Sequence, residues 1–396
     1  AKAKGGQRGH QGKTLAQVNE PDEIVLHMPE NCDCCGRVFA ASDLGDVKIV
    51  QKRQVFDLPP AQLVVTEHQL GSLSCCGVEQ WGRFPNEVTA SVQYGSGVNA
   101  VVTMLSVDYR LPTERITNFF SNLYGYALNS STVLANLQSA YEQLALSEAS
   151  IKRQLLAQKV VHFDETGVRS ESKLHWLHTA STVSYTHLFV HEKRGRVALE
   201  SAASVLKDFT GIAVHDCWSS YFKFIQCRHA LCGAHLLREL SALIDNGSTW
   251  ATLMHAYLLG LYRQPRPLAE AERADWLRRY QTILFEAELE EPPPKQGKRG
   301  RPKCSLGRAL LHRLRTHQQA VLTFAFEADV PFTNNQAERD VRPAKVKLKV
   351  SGGFRTFAGA EHYARIAAII STLRKQGMNV FTSLRDLFAL RSQLLF

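Results

Sequence analysis

Two short apolar runs that each close on an aspartate constrain this chain more than any other feature. Val160, Val161, His162 and Phe163 lead into Asp164, and Ile212, Ala213, Val214 and His215 lead into Asp216. Short apolar runs of this length read as buried strands. Around them the texture is strand, strand, strand, helix, strand: KVVHFDETG, LHWLHTAS, SYTHLFVHE, the amphipathic RVALESAASVLKDF, then GIAVHD. That order predicts a mixed α/β sheet with carboxylates at the ends of its first and fourth strands. Neighbouring strand ends bring such carboxylates close enough to share a divalent cation.

Mg²⁺ takes octahedral oxygen ligands, which carboxylates and phosphate oxygens supply. Two metals about 3.5–4 Å apart, the arrangement for in-line phosphoryl transfer, need a third acidic group. Glu338 in NNQAERD qualifies, because it begins a helix after the polar Asn334 and Asn335. Glu165 and Asp340 rank lower, since each points away from its neighbour on a strand or a helix. A lone strand-end Asp is commonly just a turn residue. Two of them with a helical Glu, in a basic chain, favour chemistry.

The 396 residues carry 47 Lys+Arg against 37 Asp+Glu, a net +10 that suits a polyanionic partner. At about 150 residues per domain the length predicts two or three domains. No apolar run approaches the roughly 20 residues needed to span a bilayer. The polar start AKAKGGQRGHQGK has no signal-peptide core, so a cytoplasmic protein without membrane contact is expected. Nine cysteines, several adjacent, make a poor disulfide framework and a better metal-binding one.

Four regions follow. Residues 1–84 form a basic arm and a cysteine module with two β-like runs, IVLHM and QLVVTEH. Residues 85–157 read as helices: VNAVVTMLSVDYR, PTERITNFFSNLYG started by Pro112 and stopped by Gly125, and a third capped by Ser130 or Ser131. Two helices across a short Gly-containing turn suggest helix-turn-helix geometry; a plain helical connector is the alternative. Residues 158–375 hold the sheet, with a mostly helical stretch at about 218–330, and 376–396 form a helical tail. Two segments are basic: the Pro-rich loop 295–303 and residues 339–355, with Arg339, Arg342, Lys345, Lys347, Lys349 and Arg355. Lys345, Lys347 and Lys349 alternate with apolar residues, as on a half-exposed strand. All are candidates for phosphate contacts.

The chain resembles the insertion sequence 66 family of bacterial transposases, enzymes with a DDE catalytic core on a ribonuclease-H-like fold. The resemblance runs through GGQRGHQGKTL (5–15), VQYGSGVNAVV (92–102), HFDETGVR (162–169), VHDCWSSYFKF (214–224), CRHALCGAHLLREL (227–240) and FTNNQAERDVRPAKVKLKVSGGFRT (332–356). It implies a catalytic triad of Asp164, Asp216 and Glu338, the three reached from the strand ends, and a helical insertion before Glu338. It further implies two Mg²⁺ (or Mn²⁺) ions, DNA as partner, assembly as a homo-oligomer on DNA, other element-encoded proteins as partners, and a place at the bacterial nucleoid.

By the same resemblance the N-terminal region is a zinc module with two knuckles. Cys32 and Cys35 fit the first, with Cys34 a bystander. The second departs from the pattern, since Leu73 stands where a ligand belongs, leaving Cys76 with Cys75 or His68. A metal-free, degenerate module is the alternative. Cys232-x₂-His235 matches an element that follows the second Asp in several DDE families. It reads as support for the active site, with a packed helix, or a zinc site including Cys227, as alternatives. The implied function is metal-dependent strand cleavage at element ends and strand transfer into target DNA. A decayed DNA-binding protein and a nuclease without strand transfer are the rivals.

Overall fold

A computed structural model describes residues 15–42, 47–294, 304–391 and 393–396. The basic loop 295–303 and nearly all of the block at 5–15 lie outside them. The chain divides into two units, Ala1–Val64 and Val65–Phe396, so the expected boundary at 84/85 falls inside the second.

In the first unit, Cys32–Gly36 make a tight turn. The Gly36 N–H donates to the Cys32 oxygen and the Cys32 N–H to that of Arg37, both at 2.8 Å. Gly36 has φ +73°, which a side chain would strain. The strands expected at 24–28 and 62–68 do not form. Those residues are largely exposed, so their apolar alternation has no core to face.

The second unit opens with a hairpin of β1 (Ser72–Cys75) and β2 (Val78–Trp81), turning through Cys76 and Gly77, both at positive φ. Helices α1 (Ser96–Thr103), α2 (Thr113–Tyr124), α3 (Ser130–Gln143) and α4 (Ala145–Leu156) follow. The first does not run on as one α-helix. It passes into a π-helical turn, Met104–Asp108, where the Tyr109 N–H reaches the Met104 oxygen at 2.9 Å. Asn129, rather than Ser130 or Ser131, caps α3, because its side chain accepts from the Ser131 N–H while Ser130 is already helical.

The sheet contains β3 (Val160–Ser170), β4 (Lys173–Ser181), β5 (Thr186–His191), β6 (Ile212–His215) and β7 (Arg228–Leu231), in the order β5-β4-β3-β6-β7. β3, β4 and β5 pair antiparallel, while β6 runs parallel to β3 and β7 to β6. This is the expected ribonuclease-H-like mixed sheet. Two expectations fail in detail. The helix foreseen after β5 is only α5 (Arg196–Leu199), closed early where the Ser201 hydroxyl and N–H both donate to Ala198. And β7 lies inside the stretch read as helical insertion, so the helices begin after it: α6 (Gly233–Ile244), α7 (Thr249–Tyr262), α8 (Glu270–Glu290), α9 (Leu306–Thr316) and α10 (Gln318–Phe326).

The chain ends in α11 (Asn335–Ser351), α12 (Phe357–Lys375) and α13 (Val380–Phe388). Residues 345–350 are therefore helical, not a strand. Their period-two pattern was coincidental: Leu348 packs on the core, while Val346 and Val350 are exposed. Apolar residues alternate across the sheet. Val161, Phe163 and Ala213 pack with Leu144, Ile151 and Leu155 from α4 and the turn before it, and with Ile366, Ile369 and Leu384 from α12 and α13. Ile212 and Val214 face the other way, onto Leu236, Trp250, Leu258 and Phe324 of the insertion. The helices of 85–157 thus contribute to the sheet's own core. Only a smaller cluster, Val102, Ile116, Phe120, Leu128 and Val133, is peculiar to them. Among the described residues no helix is long and apolar enough to cross a membrane.

Candidate active site

Asp164 is not at the end of β3, which continues to Ser170 against β4. It lies where the seam between β3 and β6 closes. The last rung there is His162↔Val214, and 164 − 162 equals 216 − 214, so Asp164 and Asp216 each sit two residues beyond it. Val214 also pairs with Ala230, which puts Cys232 at the same level on the third parallel strand (232 − 230 = 2). Asp164, Asp216 and Cys232 thus mark one edge of the sheet, at the carboxyl ends of β6 and β7.

Glu338 reaches this edge in the first turn of α11, and Asn334 sets the position of that helix. Asn334 is 1% exposed. Its Nδ2 donates to the Phe163 oxygen at 2.8 Å, leaving Oδ1 to accept from His162 Nδ1 at 2.9 Å. These bonds tie the start of α11 to the residues just before Asp164. Gly233 fixes the other side: its N–H donates to the Phe332 oxygen at 2.7 Å, and a Cβ there would lie 2.2 Å from the Phe332 ring. The far end of α11 is also fastened to β3, since the Phe354 N–H donates to the Arg169 oxygen at 2.7 Å. Asn335 is exposed, and its main-chain oxygen accepts from Arg339 Nε at 3.1 Å.

Asp164 feels the charge of three other carboxylates, Glu165, Asp216 and Glu338. Burial pushes the Asp164 carboxyl up to about 7. Glu165, Asp216 and Glu338 add to the rise, and the Glu165 N–H at 2.9 Å opposes it. Asp216 accepts from the Trp218 N–H at 3.1 Å. A buried carboxyl facing other carboxylates is a setting that a divalent cation relieves, and the all-oxygen donors suit Mg²⁺ or Mn²⁺. The two carboxylates ranked lower are engaged elsewhere. Glu165 meets Arg194 at 2.7 Å and the Tyr221 hydroxyl; Arg194 in turn lies over the Trp176 and Trp218 rings. Asp340 pairs with Lys375 at 2.6 Å. The clamp of Arg194 and Tyr221 was not foreseen. Its only trace in the sequence is Tyr221 within the block around Asp216.

The supporting pair falls beside Glu338. Cys232 Sγ accepts from the Asn334 N–H at 3.2 Å. Burial alone would raise the Cys232 thiol, but His235 and the Asn334 N–H outweigh it, and the thiol lies below its usual value. His235 is raised in turn, first by Cys232. Cys227 stands apart, its Sγ donating to the Phe224 oxygen at 3.3 Å.

The basic residues of α11 divide by face. Glu338, Arg342, Lys345 and Lys349 follow at intervals of four, three and four residues, which places them along one stripe; the three cations are exposed. Lys345 Nζ reaches the Gly167 oxygen on β3 at 3.2 Å. Arg339 is exposed beside this stripe, and Arg355 lines a shallow pocket with Arg169 beyond its end. Lys347 points the other way, its ammonium 5.9 Å and 5.7 Å from the Phe354 and Tyr363 ring centres, and burial pushes it down to about 8.

In the first unit, Cys32 is held below its usual value by the N–H groups of Cys35 and Cys34 and by the Cys35 side chain. A lowered thiol value favours the thiolate, the form that binds metal. In the second, Cys75 and Cys76 lie with their sulfurs 3.6 Å apart, and Leu73 is 80% exposed on β1.

Two family models match the chain. One, described as the transposase IS66 family, covers residues 91–362. The other, described as the zinc-finger binding domain of transposase IS66, covers residues 29–77. No curated protein matches it.

Proposed function

Since the chain belongs to the transposase IS66 family, we propose that Asp164, Asp216 and Glu338 form the catalytic site of a metal-dependent DNA transposase. The matched position of Asp164 and Asp216 beyond one rung carries this reading. Two Mg²⁺ or Mn²⁺ ions held there would supply an activated water and stabilise charge on the attacking and leaving oxygens. The chain's own residues do the rest. Asn334 and the Phe354 contact hold α11 along β3, which keeps Glu338 opposite the aspartates. Arg342, Lys345 and Lys349 grip the phosphates of DNA lying along the helix, adding affinity without sequence preference. Arg194 and Tyr221 hold Glu165 out of the ligand set.

In this reading a strand is cut at the element end and the freed 3′-hydroxyl then attacks a target phosphodiester. Both are in-line transfers at one site. Structural zinc belongs in this reading to the zinc-finger segment, with Cys32 and Cys35 as its thiol ligands in the first unit. The test is a reaction with labelled element ends and Mg²⁺ or Mn²⁺, reading both nicked and joined DNA. Asp164→Asn, Asp216→Asn and Glu338→Gln should each reduce cleavage at least a hundredfold, or about 3 kcal/mol, with DNA binding retained. Near wild-type cutting by any of them removes that residue from the site. Nicking without joining leaves a nuclease instead.

A further inference from the structure

The groups at the start of α6 face Glu338 with a chemistry that hard-cation catalysis does not use. Cys232 Sγ, a nitrogen of His235 and a carboxylate oxygen of Glu338 all lie within 4.8 Å of one another. Among the described residues this is the one group of three or more such donors gathered so closely. His235 Nδ1 and Glu338 Oε1 are 3.5 Å apart, too far for a good hydrogen bond. Both atoms are buried without a hydrogen-bond partner. Two orphaned polar atoms beside a buried sulfur have room for an ion between them.

We propose that Cys232, His235 and Glu338 form a binding site for a zinc-like divalent cation, distinct from the zinc-finger segment and adjoining the carboxylates of the catalytic site. Thiolate, imidazole and carboxylate are the donors that zinc accepts, and a thiolate selects against Mg²⁺. One thiolate and one carboxylate balance a doubly charged ion. Three protein ligands leave a fourth, tetrahedral position for water or a DNA oxygen. Arg238, 3.9 Å from Glu338 Oε1, is well exposed and free to turn towards solvent. The scaffold is firm: Cys232 is 1% exposed, its N–H donates to the His215 oxygen at 3.0 Å, and Asn334 bonds its sulfur. An ion here would clip α6 to α11 and hold Glu338 in place. The site shares Glu338 with the proposed catalytic triad but does not depend on that triad being catalytic.

The test counts metal, without DNA or turnover. Full-length wild type, Cys232→Ala and His235→Gln are dialysed against a zinc buffer, then measured by elemental analysis alongside circular dichroism. Both variants should carry one zinc per chain fewer than wild type, because metal in the zinc-finger segment is common to all three. With cobalt in place of zinc, Cys232→Ala should also lose thiolate-to-cobalt absorption. Should burial of Cys232 make that variant unfold, His235→Gln decides, since its side chain is 39% exposed. Equal zinc in folded His235→Gln and wild type overturns the site and leaves Cys232 and His235 as packing at the start of α6. A Glu338→Gln protein that fails to cut DNA while zinc content is equal in wild type and His235→Gln would sink this site and leave the catalytic reading intact.

Discussion

Asp164 and Asp216 occupy equivalent positions on adjoining parallel strands, each two residues beyond the rung His162↔Val214. Burial of Asp164, with Glu165, Asp216 and Glu338 adding to it, costs stability when no cation is present. The Asp164 carboxyl titrates at about 7 in the folded protein against an ordinary 3.8, so between those values the folded state binds more protons than the unfolded one. Stability must then fall as pH rises from about 4 to about 7. Asp164→Asn should remove that slope and, in chelator at pH 8, stabilise the protein by roughly 4 kcal/mol. Added Mg²⁺ should stabilise wild type but not the variant. Denaturant titrations across pH check this, and an unchanged slope in the variant sinks it.

The face of α11 on which each cation lies sorts the basic segment. Arg342→Ala, Lys345→Ala and Lys349→Ala should each weaken binding to all duplexes alike and lower the salt slope by about 0.9. Lys347→Ala should leave both unchanged. Filter binding on random and element-end DNA over a salt series measures it. An effect of Lys347→Ala as large as the others would refute the assignment of faces.

Lys347 carries a pH signature of its own. Burial lowers it from 10.5 to about 8, so between those values the unfolded chain holds the extra proton and stability rises with pH. Lys347→Met should flatten this rise and add roughly 3 kcal/mol at pH 7. Melting curves from pH 7 to 10.5 give the answer; a parallel rise in both proteins contradicts it.

The sequence marked the central strands more clearly than the local structure around them. The apolar runs 160–163 and 212–215 revealed two buried strands and the aspartates that follow the runs, because burial leaves a direct mark on residue type. It could not reveal that β3 runs on past Asp164, which depends on β4 continuing to pair beyond β6. Nor could it reveal β7: RHAL is too short and too polar at its start to stand out, and only its neighbour β6 makes it a strand. Lys345, Lys347 and Lys349 misled because period two over six residues fits a helix whose exposed face tolerates valine. The fastening of Asn334 to Phe163 and His162, across more than 170 residues, has no local signature at all.

That fastening makes its own prediction. Asn334→Ala leaves the Phe163 oxygen and His162 Nδ1 without partners in a buried place, at a cost of about 1–3 kcal/mol for each unsatisfied group. It also frees the first turn of α11. Cleavage should fall tenfold or more at saturating DNA while affinity for DNA is kept, because the phosphate-gripping stripe lies further along the helix. Asn335→Ala, on the exposed neighbour, should behave as wild type. Equal losses in the two variants would mean that the turn matters only as a helix start.

The last prediction concerns where the chain can be cut. A helical region that read the element end as a separate module would survive as an independent piece and leave a folded core behind. The packing says otherwise. Ala140, Leu144, Ile151 and Leu155 are buried in the same cluster as Val161, Phe163 and Leu177 of the sheet, and Arg365 of α12 pairs with Glu148 of α4 at 2.7 Å. Deleting 1–157 would strip this face of the sheet and expose Val161, Phe163 and Leu177, each worth about 1.5–3 kcal/mol when buried. Their sum rivals the whole stability of an ordinary domain. That protein should be insoluble or molten, with no cooperative melt. Deleting 1–64 removes only the first unit and should leave a folded chain that still binds duplexes through α11. Comparing the melts of the two truncations decides the matter: a cooperative transition in the chain lacking 1–157 would make the helical region a detachable module after all.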